Sequence, residues 1–198
     1  MTAKSAFSIV GLAHKLCLSA EEQGYTPELL NALAESPDLF RQLREVQLGH
    51  AEIRQVEHLI DCDADPFVPE GWEVEEHQKG GQFKFDAARV QFYLSESQLK
   101  GRRAIKGKEL RKELSSKPVL NANVLDYLLA HPHLIPEEWK QDSEGHTRYI
   151  FFWGTIYRGS GGDLYVRCLF WFGGRWVWSF RWLEGVWFDQ VPAVLLAS

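Results

Sequence analysis

The chain has 198 residues, 45% hydrophobic and 25% charged, a balance that suits a globular protein with a sizeable core. A net charge of −5 and a pI near 5.8 argue against a general affinity for nucleic acid or for anionic membranes. Three scattered cysteines, Cys17, Cys62 and Cys168, have neither metal nor redox spacing and read as buried free thiols of a reducing cytosol.

The N-terminal residues 1–60 read as a helical domain. In "SAFSIVGLAHKLCLSA" the residues Phe7, Val10 and Cys17 share one stripe, with Ile9, Leu12 and Leu16 beside it, which makes a broad apolar helix face. Lys4 and the apolar run after it mimic the start of a signal peptide, but His14 and Lys15 interrupt the run and no cleavage site follows. Thr26 before Pro27 and Glu28, and Ser36 before Pro37 and Asp38, are two N-cap signatures, so two more short helices are expected. Residues 51–60 fit either an extension of the third helix or a strand. On a helix, His50, Arg54 and His58 would stack at four-residue spacing.

Residues 61–72, "DCDADPFVPEGW", are rich in proline and glycine and read as a linker to an α+β domain at 73–198. Its D-x-D-x-D opening is not a calcium loop, because Pro66 stands where glycine is needed and Trp72 where glutamate is needed. Trp72 and Val74, a Gly80-Gly81 turn, then Phe83 and Phe85 predict a β-hairpin. "RVQFYLS" predicts a strand, "GKELRKELSSKP" a short polar helix, and "NANVLDYLLAHP" a helix capped by Asn121 or Asn123. From Tyr149 onward the period is two. "YIFFWGTIYR" is apolar on both faces, and the turns at Gly161-Gly162, Gly173-Gly174 and Glu184-Gly185 recur about every twelve residues. The region 149–198 therefore reads as a tryptophan-rich antiparallel β-meander, and the fold class as α+β.

The strings "DADPFVPEGWEVEEHQKGG", "VLNANVLDYLLAHPHLIPEEWK" and "FFWGTIYR…LYVRCLFW…GGRW" resemble a family of uncharacterised bacterial proteins, over about Asp61 to Leu195. The resemblance implies no activity, so the functional expectations come from the residues.

Arg167 to Phe188 holds five tryptophans. Strand alternation puts Trp176, Trp178, Phe180 and Trp182 on one face and Arg175, Val177, Ser179 and Arg181 on the other. The sequence assigns Trp176, Trp178 and Phe180 to the core. The contact surface is expected at Tyr165, Arg167, Trp171, Arg175, Arg181, Trp182 and Trp187, where arginines and aromatic rings lie near turns or polar positions. The function read from this is non-enzymatic binding of a protein or carbohydrate partner, without membrane contact, catalytic residues, metal or cofactor. A second reading makes Lys100, Arg102, Arg103, Lys106 and Lys108 a nucleic-acid contact, although no aromatic residues interleave them. A third is a metal-dependent hydrolase at His131 and His133, for which the sequence offers no convincing third ligand.

Overall fold

The computed structural model describes residues 9–54, 56–99 and 104–197. The chain divides into two compact units, 1–56 and 57–198. The architecture is α+β, with helices first and a mixed, curled sheet toward the C-terminus. Among the described residues no helix is long and apolar enough to cross a membrane.

The first unit holds helices α1 (Ile9–Glu22), α2 (Pro27–Ala34) and α3 (Pro37–Gln47). Thr26 caps α2 as expected, its hydroxyl accepting the Leu29 N–H at 3.3 Å. Ser36 does not cap α3. Its hydroxyl turns back and donates to the Ala32 carbonyl at 2.8 Å, the alternative partner that serine offers a helix end. Residues 51–54 and 56–58 are irregular, so the helical spacing considered for His50, Arg54 and His58 is not realised.

The second unit contains the remaining elements. Strands β1 (Leu59–Asp61), β2 (Trp72–His77), β3 (Gln82–Lys84) and β4 (Val90–Tyr93) come first. After α4 (Glu96–Leu99) and β5 (Ile105–Lys106) come α5 (Gly107–Leu114) and α6 (Ala122–Ala130). Asn121 is the cap of α6, accepting the Asn123 N–H, and the helix stops at His131-Pro132. The C-terminal strands are β6 (Ile150–Phe151), β7 (Thr155–Gly159), β8 (Leu164–Phe172), β9 (Arg175–Trp182), β10 (Val186–Trp187) and β11 (Ala193–Leu196).

The expected hairpin of 72–85 does not form. β3 pairs with β1, and β2 pairs with β7. The charges on β2 explain the choice of partner. Arg158 of β7 holds Glu75 at 2.6 Å and lies 3.6 Å from Glu73, so an acidic strand pairs with the one that brings a cation. The stretch 61–72, expected to be a linker, lies within the second unit and is hydrogen-bonded into it. Asn123 donates to the Asp61 and Ala64 carbonyls, Asn121 to that of Cys62, and the Tyr157 hydroxyl to that of Phe67. Carbonyls outside a strand ladder need such donors, most of all the buried one of Cys62, and α6 and β7 supply them.

β8 is the centre of a seven-stranded sheet. One of its sides pairs with β6 and β7, which are separated by Phe152–Gly154, and the other pairs along its whole length with β9. β7, β8 and β9 form an antiparallel meander, while β11 joins β6 in parallel and makes the sheet mixed. Alternation then sorts side chains between two cores. Ile150, Phe152, Leu169 and Val194 go to the first, with the apolar face of α6; Phe151, Trp153, Cys168, Ala193 and Leu195 go to the second, with Leu110 and Leu114 of α5. This accounts for the doubly apolar "YIFFW" run.

Gly107 marks the tightest approach in the second core. A Cβ there would lie 1.8 Å from the Leu183 carbonyl oxygen and 2.5 Å from the Trp187 indole nitrogen. Backbone cannot yield as a side-chain tip can, so Gly107→Ala is expected to destabilise by about 1–3 kcal/mol in a denaturant melt.

Candidate functional site

The register of β8 and β9 decides which residues share a surface. Tyr165 faces Trp182, Arg167 faces Phe180, Leu169 faces Trp178 and Trp171 faces Trp176. Directly opposed residues point to one side of a sheet. Tyr165, Arg167 and Trp171 therefore belong with the tryptophans of β9. Arg175 and Arg181 belong to the opposite face, with Val166, Cys168 and Phe170. The expected arginine–aromatic surface is divided between the two sides of the sheet.

Burial corrects further assignments. Trp187 is fully buried, packed edge-on to Phe151 at 4.6 Å and against Trp153 at 4.6 Å. Arg167 is buried as well. It meets Asp126 of α6 through two hydrogen bonds, at 2.7 and 3.0 Å, the fork geometry that suits a guanidinium and a carboxylate. Burial opposes its charge, but the bonds to Asp126 and the neighbouring Tyr157 outweigh this and raise its pKa above the ordinary value. Arg181 is half-buried, donates to the Val186 carbonyl at 2.6 Å and lies over the Trp187 ring. Trp171 is half-buried beneath the Lys140 ammonium, 3.6 Å from its ring centre. Only Arg175 and Trp182 of the seven expected contact residues are exposed, and Tyr165 is half-buried.

The residues assigned to the core divide the other way. Trp176 is buried, but Trp178 is 36% exposed, Phe180 49% and Trp182 47%. With Phe67, which stands edge-on to Trp178 at 6.3 Å, they form an aromatic ridge on β9. Its base is held firmly. The Arg167 guanidinium sits 4.4 Å from the Trp178 ring centre and 5.1 Å from that of Phe67. Trp72 stacks on Tyr165 at 4.8 Å and meets Phe180 edge-on at 4.9 Å. The ridge is thus a set of partly exposed rings over an ion pair whose arginine is buried. Sequence reading missed Phe67, Trp178, Phe180 and Asp126. An all-aromatic strand face was a signal of importance, but nothing local distinguished a covered face from an open one.

The sequence puts Trp178 in the core and Arg181 on the contact surface, and their observed surroundings reverse the stability order which that assignment implies. Trp178→Ala is expected to cost about 1–2 kcal/mol, less than a fully buried tryptophan would. Arg181→Ala is expected to cost about 1.5–3 kcal/mol, the range for a charge-assisted hydrogen bond. Denaturant melts of both variants check the order.

The alternative sites are placed as follows. Lys100, Arg102 and Arg103 lie outside the described residues. Lys106 is exposed on β5, and Lys108 at the start of α5 pairs with Glu184 at 2.7 Å. His131 and His133 are joined by His58, with ring centres 5.7–6.1 Å apart. The His58 Nδ1 lies 3.0 Å from the Tyr127 hydroxyl, and the His131 Nδ1 donates to the Tyr127 carbonyl. Among the described residues no group of three or more histidine, cysteine or acidic side chains is arranged to hold a metal ion.

Two of the three thiols are also poorly disposed to nucleophilic chemistry. Burial, helped by Asp61 and Asp63, pushes the Cys62 thiol up to about 11, and burial pushes Cys168 up to about 12. Cys17, expected to be buried, is exposed on α1. Iodoacetamide at neutral pH is therefore expected to modify Cys17 and to spare Cys62 and Cys168, as read by intact and peptide mass spectrometry.

Comparison with protein-family models, curated proteins and solved structures found no match.

Proposed function

We propose that residues 57–198 form a non-enzymatic binding module that receives an extended segment of a protein partner along β9. The observation that carries this reading is the coincidence of two features on one strand. Trp178, Phe180 and Trp182 stand exposed along one face, and among the described residues β9 pairs with β8 alone. Its free edge offers backbone donors and acceptors, and its rings offer apolar contact for alternate side chains of an added strand. Protected edges carry lysines, prolines or bulges. β9 runs eight residues in unbroken register with no lysine, proline or bulge, and its charged side chains, Arg175 and Arg181, lie near its two ends. A sugar would use the rings but not the edge, so a peptide uses more of what is present.

Selection from a display library of random peptides tests the reading. Enriched peptides should bind the intact chain and lose about tenfold or more in affinity to Trp178→Ser/Phe180→Ser, since each exposed anchor contributes on the order of 1–2 kcal/mol. Failure to enrich any peptide, or equal binding to the double variant, would overturn it.

A further inference from the structure

Three cations of α5, Lys108, Arg111 and Lys112, converge on a cleft of about 500 Å³ between β2, α5 and the residues that separate β6 from β7. Its floor is Leu114, Val119, Trp153 and Ile156, none more than 8% exposed and all members of the second core. The cleft therefore belongs to the side of the sheet opposite the aromatic ridge. Its rim carries Lys108, Arg111 and Lys112 against the single carboxylate Glu76.

The pairing of these charges shows what is unmet. Arg111 is bonded to Glu76, and Lys108 to Glu184. Lys112 has no carboxylate partner among the described residues. The Trp153 indole N–H is buried and has no acceptor within the protein. Arg167, Arg181 and Trp187 each bury a donor nitrogen without an acceptor as well, so the Trp153 N–H serves as a reporter beside the cleft and not as a ligand contact. An apolar floor with a few polar groups, in a space of this size, is the ordinary composition of a small-molecule site.

We infer that this cleft binds an amphiphilic organic anion: a carboxylate with a medium-length apolar chain, its headgroup at Lys112 and its chain over Leu114, Val119 and Ile156. The apolar body separates this ligand from inorganic anions, which Lys112 alone would attract. The charged head separates it from neutral hydrocarbons, which the floor alone would take. The site is independent of the β9 edge, and either can fail without the other.

Nuclear magnetic resonance of the indole N–H groups of the full chain, titrated with decanoate, provides the test. The Trp153 signal is identified by its loss in Trp153→Phe. It should shift saturably with decanoate and stay in place with decanol or inorganic phosphate at the same concentration. Lys112→Glu, on an exposed helix position, should weaken decanoate by about tenfold while leaving the other indole signals unmoved. No saturable shift, or an equal response to decanol, would overturn the inference. So would an equal response to phosphate, or unchanged affinity in Lys112→Glu.

Discussion

Asp126→Ala is expected to lower the stability of the second unit by about 3–5 kcal/mol. The substitution removes a half-buried carboxylate, but its effect falls on Arg167, whose side chain is 1% exposed. A guanidinium that loses both bonds to Asp126 stays charged in a buried setting, with the Trp178 and Phe67 rings and the Tyr157 hydroxyl near it and no anion to balance it. Uncompensated buried charge is among the most costly defects a fold can carry. The double variant Asp126→Leu/Arg167→Met separates this cause from simple loss of packing. Replacing both partners by apolar groups of similar volume should recover most of the loss. Urea melts of the three proteins measure both effects, and a double variant as unstable as Asp126→Ala would contradict the explanation.

Trp187→Ala is the second large effect, at about 3–5 kcal/mol. The ring is fully buried and fills the space between Phe151, Trp153 and the backbone at Gly107, where no side chain fits. Trp187→Phe should cost much less. It keeps aromatic volume and removes an indole N–H that has no partner in the protein. A small loss in Trp187→Ala would mean that this core can collapse around the missing ring.

Local patterns in the sequence located most strands and helices. The alternation in "RWVWSFRW" marks β9, and the Asn121 cap and the His131-Pro132 stop bracket α6. Alternation also separates side chains into two faces correctly. It cannot report what covers a face, because that depends on residues distant in the chain. Arg167 lies in a strand that reads as half polar, and its partner Asp126 is 41 residues away on a helix. Trp178 reads as core because its neighbours are aromatic, yet no element closes over it fully. The pairing of β2 with β7 escaped local reading for the same reason. Gly80-Gly81 supports a hairpin, while the acidic side chains of β2 are satisfied by Arg158, about eighty residues later.

The candidate site was legible as a strand and not as a surface. The sequence singled out the tryptophan-rich segment, and the structure leaves Trp178, Phe180 and Trp182 exposed on one of its faces. The Arg167–Asp126 pair beneath these rings connects the stability of the fold with the surface that we propose receives a peptide. Arg167 props Trp178 and Phe67 from below, so Asp126→Ala should loosen the ridge as well as the fold.

Hydrogen exchange of the β9 amides, with and without a peptide selected on the intact chain, examines the binding surface most directly. An added strand should protect alternate amides of Arg175–Trp182, those on the free edge, and leave the amides bonded to β8 unchanged. Protection confined to another part of the chain, or no change along β9 at saturating peptide, would contradict the assignment of this edge as the contact surface.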